Sequence, residues 1–165
     1  MDTKRLMTFI ELAGQQTRAL DLFVDEQREV TGAVRARDWT ALEHALERAA
    51  LLAEEVAAAE VRRADAWSAF LDEAQLPVDS TVFKASLSLP VEYRSLLNDC
   101  YRALRLSSMR ARIENEALSY FVGDAATTLR QAIETLFPDR KGKIYGRSGK
   151  AHHASSAAMI LDQAF

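Results

Sequence analysis

The chain has 165 residues, of which 48% are hydrophobic and 27% charged, with a formal net charge of −3. This balance suits one helical domain and excludes a disordered chain, and the mild acidity gives no reason to expect nucleic acid as the main partner. No apolar run approaches the roughly 20 residues that span a bilayer, so no membrane insertion is expected.

The first residues, Met1-Asp2-Thr3-Lys4-Arg5, carry no cleavage-site pattern, and a cytoplasmic location is expected. Glycine and proline are scarce, while alanine, leucine, glutamate and arginine dominate, so every level of composition leans towards helix. The periodicity predicts a first helix over residues 3–36, with Leu6, Phe9, Ile10, Ala13, Thr17, Leu20, Phe23, Val24, Val30 and Val34 on one stripe that Gln27 interrupts. Asp38 is an N-cap candidate, and Thr40 with Glu43 forms an alternative capping box, so a second helix should start near Trp39. Its expected stripe is Trp39, Leu42, Leu46, Ala49, Ala53, Val56, Glu60, Arg63, Trp67 and Phe70. A short connection folds the two helices into an antiparallel hairpin. Flanking alanines, Ala45, Ala59 and Ala66 among them, let neighbouring helices approach closely.

Between Gln75 and Pro90 the pattern dissolves into turn and cap residues, with Val82, Phe83, Leu87 and Leu89 forming one short amphipathic turn over the end of the hairpin. A long third helix then fills residues 90–137. Its stripe, read in steps of four and three, is Leu97, Tyr101, Leu104, Ser108, Ala111, Asn115, Leu118, Val122, Ala125, Leu129, Ala132 and Leu136. Such a helix is on the order of 70 Å long and needs partner helices along most of its length. Gly123 marks a place for a bend or a close helix contact. The expected fold is all-α: an elongated coiled-coil-like bundle over residues 1–137, made of an N-terminal antiparallel hairpin and one long third helix, followed by a mobile recognition tail over residues 138–165.

Enzyme chemistry finds little to stand on. The residues three before His44, His152 and His153 are Ala41, Gly149 and Lys150, so the Glu-x-x-His spacing of di-iron bundles is absent. Gly146-x-x-Gly149-Lys150 lacks the first glycine and the following hydroxyl of a phosphate loop. Cys100, the single cysteine, reads as a small packing residue rather than a nucleophile. No enzyme, metal or cofactor is expected. The tail is locally basic through Arg140, Lys141, Lys143, Arg147 and Lys150, and it carries a glycine-punctuated segment and the apolar run Ala157-Ala158-Met159-Ile160-Leu161.

The order of these features resembles the FlgN family of flagellar export chaperones. The carrying residues are the turn Arg37-Asp38-Trp39, the heptad positions Leu42, Leu46, Leu52 and Val56 with Arg62 and Arg63 after them, Asn115 in the middle of the long helix, and the tail motif Tyr145-Gly146-Arg147-Ser148-Gly149. The resemblance implies a cytoplasmic, non-enzymatic chaperone that binds C-terminal segments of hook-filament junction proteins and delivers them to the flagellar type III export gate. Client packing then falls on Leu129, Ile133, Leu136 and Phe137, extended or covered by Met159, Ile160 and Leu161. Docking to the export gate falls on Ile144, Tyr145, Gly146 and Gly149. The alternative reading is a structural coiled-coil module that self-associates through its stripes, as a homo-oligomer with no client.

Overall fold

The computed structural model describes residues 3–136 and the backbone of residues 144–145 and 151–152. Among the described residues the fold is all-α, with four helices: α1 (Lys4–Ala36), α2 (Trp39–Glu73), α3 (Val82–Leu87) and α4 (Val91–Leu136). A two-residue ladder, β1 (Ile144–Tyr145) with β2 (Ala151–His152), follows them. Among the described residues no helix is long and apolar enough to cross a membrane. Compact packing divides the chain into a body of Met1–Phe121 and a second unit of Val122–Phe165, each described below by itself.

In the first body, α1 ends where Arg37 enters the left-handed region at φ 57°, its N–H returning to the carbonyls of Ala33 and Val34. Asp38 then caps α2, its carboxylate accepting from the Ala41 N–H at 3.0 Å. The two helices run antiparallel: contacts between them pair Arg5 with Glu73, Phe9 with Trp67, Gln16 with Arg63 and Glu26 with Arg48, so numbers rise along α1 as they fall along α2. Close backbone approach between helices is confined mainly to this pair. Small buried residues allow it: Ala13, Ala19 and Ala33 on α1, Ala45 and Ala59 on α2.

Thr81 caps α3 by accepting from the Lys84 N–H. The apolar core gathers where the start of α1, the end of α2, α3 and the start of α4 meet, around Leu6, Phe9, Phe70, Leu71, Ala85, Leu89 and Leu97. Phe9, Trp67 and Phe70 stack there in tilted pairs with centroids 4.8 and 5.3 Å apart. Of the four residues expected to cover the hairpin, Leu89 is buried and Val82 half-buried, whereas Phe83 and Leu87 are exposed; Ala85 and Ser86 take their place, because the six-residue helix turns its small face inwards.

Beyond this core α4 lies parallel to α1 and meets it through side chains. Asp21 accepts from the Ser107 hydroxyl at 2.6 Å, Arg28 pairs with Glu114 at 2.9 Å, and the Arg35 guanidinium sits 5.7 Å from the Phe121 ring centre. These rungs advance by seven residues on both helices, 21 to 28 to 35 against 107 to 114 to 121. The inward-facing seam of α4 is therefore Leu97, Cys100, Leu104, Ser107, Ala111, Glu114, Leu118 and Phe121. Of the twelve expected positions, Leu97, Leu104, Ala111 and Leu118 face inwards. The positions alternating with them in this body are displaced by one residue, so Tyr101, Ser108 and Asn115 are exposed, and Val122, Ala125, Leu129, Ala132 and Leu136 in the second unit are exposed as well. The same correction holds on α2, where Ala45 and Ala59 are buried while Trp39, Leu46 and Glu60 are exposed.

Candidate functional site

The residues expected to bind a client fall on the last turns of α4, in the unit Val122–Phe165. From residue 122 to residue 136 every side chain is exposed, including Leu129 at 63%, Ile133 at 45% and Leu136 at 71%. Steps of three and four place Val122, Ala125, Leu129, Ile133 and Leu136 on one stripe, whereas Asp124 and Glu134 fall on the opposite side of the helix and Arg130 on its flank. The hydroxyls of Thr127 and Thr135 donate back to the carbonyls of Gly123 and Gln131, at 2.9 and 2.8 Å, so neither competes for a partner. A Cβ built on Gly123 would meet nothing within 4 Å, so the close helix contact expected there is absent among the described residues.

An exposed apolar stripe of this kind does one chemical thing well: it accepts the apolar face of another helix or strand. Phe137, Met159, Ile160 and Leu161 lie outside the described residues. Of the residues expected to dock at an export gate, Gly146 and Gly149 also lie outside them. Ile144 and Tyr145 form β1, antiparallel to β2, with Ile144 opposite His152 and Tyr145 opposite Ala151. Sequence reasoning treated Ile144 and Tyr145 as anchors of a loop and missed the pairing. The available signal was a β-branched and an aromatic residue, Ile-Tyr, followed by a glycine-containing connection of hairpin length, residues 146–150.

Groups with reactive potential are dispersed. Cys100 is half-buried, its thiol 3.7 Å from the Ile10 carbonyl, and burial pushes its pKa up, away from the thiolate that a nucleophile needs. His44 is exposed, with Nδ1 3.7 Å from Glu47. Among the described residues no group of three histidine, cysteine, aspartate or glutamate side chains comes together to hold a metal ion. A shallow hollow of about 290 Å³ at the turn of the hairpin is lined by Glu29, Gly32, Asp38, His44 and Arg48, and Arg48 is engaged by Glu26. Comparison with family models, with curated proteins and with solved structures finds no match for this chain.

Proposed function

We propose that this chain is an export chaperone of the FlgN type, which holds C-terminal segments of hook-filament junction proteins and hands them to the flagellar type III export gate. The observation that carries this reading is the exposed stripe of Val122, Leu129, Ile133 and Leu136 on α4, with its carboxylates on the other side. An amphipathic client helix laid along that stripe gains apolar burial that the isolated chain leaves unused. The Tyr145-Gly146-x-x-Gly149 motif supports the second half of the proposal, release to the gate, because it is the tail motif on which the resemblance places gate docking.

The test is calorimetric titration of the full chain with C-terminal peptides of the two junction proteins from the same organism, alongside the double variant Leu129→Asp/Ile133→Asp. Both positions are exposed, so the variant should keep the helical circular-dichroism spectrum of the parent. Full burial of such a side chain contributes about 1.5–3 kcal/mol, and half- to two-thirds-exposed residues recover part of it, so losing both should cost about 2–3 kcal/mol, roughly 30- to 150-fold in Kd. Absence of binding to either peptide by the folded parent would end the chaperone reading. A stable oligomer in the same preparation would then favour the self-associating module.

A further inference from the structure

The body Met1–Phe121 carries a second uncovered face that the proposed client stripe does not use. On α4, Leu106, Met109, Ile113 and Tyr120 are between 48 and 80% exposed. Steps of three and four, passing through Ala117, place them on one stripe, turned away from the seam of Leu104, Ser107, Ala111 and Glu114. Together they expose on the order of 400 Å², within the roughly 300–600 Å² of the largest apolar patch on a typical single chain, a patch that is often functional.

Its charge is as distinctive as its apolarity. In a chain with net charge −3, residues 100–113 contain four arginines, Arg102, Arg105, Arg110 and Arg112, and no carboxylate. Arg102 and Arg112 are 81% exposed and reach outwards only as far as Asp99 and Glu116 on their own helix. Arg105 and Arg110 are exposed and make no ion pair among the described residues. The four guanidinium groups frame Leu106, Met109 and Ile113, while Asp99 and Glu116 bound the basic segment at either end.

We propose that this face of α4 binds an amphipathic helix of a partner protein whose apolar stripe is flanked by carboxylates. Arginine is the cation suited to the rim of such a contact, because its planar fork meets a carboxylate with two donors while its stem covers apolar surface. A second copy docking through the same face would set like-charged arginine rims against each other, which opposes that symmetric pairing. The positive segment is about 20 Å long, the length of a helix of about four turns, and the acidic residues closing its ends fit a finite helix better than an anionic bilayer plane.

The probe is a fluorescein-labelled 18-residue peptide with leucines at helical spacing of three and four and glutamates flanking them, measured by anisotropy against the full chain. Its control carries lysine at each glutamate position. The glutamate peptide should bind at least tenfold tighter than the lysine peptide and weaken as sodium chloride rises from 50 to 300 mM. Arg105→Glu/Arg110→Glu should weaken the glutamate peptide at least tenfold and strengthen the lysine peptide. Ile113→Asp should weaken both. All three positions are exposed, so circular dichroism should stay unchanged. Equal affinity for the two peptides, or charge-reversed protein that keeps the parent's preference, would overturn the proposal. So would binding to phosphatidylglycerol vesicles, lost in the double variant, by a parent that ignores the glutamate peptide.

Discussion

Gln27 is the residue whose substitution tests the α1–α4 seam most directly. It is buried at 3% exposure, its Nε2 donates to Asn115 Oδ1 at 3.0 Å, and its Oε1 has no partner among the described residues. Exchanging the two ends of the amide only moves the deficit, because Asn115 satisfies one end either way. A buried polar atom without a partner costs about 1–3 kcal/mol, and Gln27 carries that cost already in the native state. Gln27→Leu has nearly the same volume, removes the orphan and adds apolar area, while the exposed Asn115 turns to water. The variant should be more stable by about 1 kcal/mol, which for a chain of this length raises the Tm by about 2–4 °C. Asn115→Ala has the opposite sign: it strips Gln27 of its remaining partner, at a cost of about 1 kcal/mol. The double variant should resemble Gln27→Leu alone, and urea denaturation of the four proteins gives the coupling directly. If Gln27→Leu loses more than about 1 kcal/mol, the amide is satisfied in solution and the assignment of an unpartnered Gln27 Oε1 is wrong.

Leu97→Ala and Tyr101→Ala separate the two possible phases of α4. Leu97 is fully buried, so its truncation should cost about 2–5 kcal/mol, whereas Tyr101, 42% exposed, should lose about 1 kcal/mol or less; equal losses in urea would reject the observed seam. Asp38→Ala removes the side-chain bond to the Ala41 N–H and should destabilise the hairpin by about 0.5–2 kcal/mol, with Asp38→Asn restoring most of it; an alanine variant melting with the parent would show that the cap contributes nothing.

Helix positions and ends were legible because they rest on local chemistry. The first helix was placed over residues 3–36 and is Lys4–Ala36, and the Asp38 cap with a helix from Trp39 follows from the side chain and its neighbours alone. What a single helix cannot reveal is which of two adjacent residues its partner prefers. On α4 the seven-residue repeat fits Cys100 or Tyr101, Ser107 or Ser108, Glu114 or Asn115, Phe121 or Val122. Apolarity favours Tyr101 over Cys100, but at that level the Cys100 thiol donates to the backbone carbonyl of Ile10 on α1 and Tyr101 is left outside. The two serines are identical by type, and Asp21 decides between them; Arg28 and Arg35 decide the next two levels. On α2 the ranking failed for a related reason. Trp39 and Leu46 outrank Ala45 in hydrophobicity, yet close approach of two helices selects for smallness, so the alanines went inside. The exposed stripe of Leu106, Met109 and Ile113 was masked by the same choice of phase, although its arginine-rich frame is plain in the sequence once the seam is fixed.

The division of labour between the helices follows from these contacts. The α1–α2 hairpin is joined mainly by buried alanines and an aromatic cluster, which depend on shape, with the partly exposed Arg5–Glu73 and Glu26–Arg48 pairs added at its edges. The attachment of α4 beyond Leu104 depends on hydroxyl–carboxylate, guanidinium–carboxylate, amide–amide and guanidinium–ring rungs. The Arg28–Glu114 rung is partly solvated, with side chains 57 and 31% exposed, so solvent screening holds it to about 1 kcal/mol or less. A helix held in this way is fixed in position and direction by the spacing of its rungs, at modest cost to shift. Its backbone hydrogen bonds remain internal throughout. α4 can therefore present apolar residues outwards without risking its own helicity, whereas an edge strand with the same exposure would be a template for aggregation.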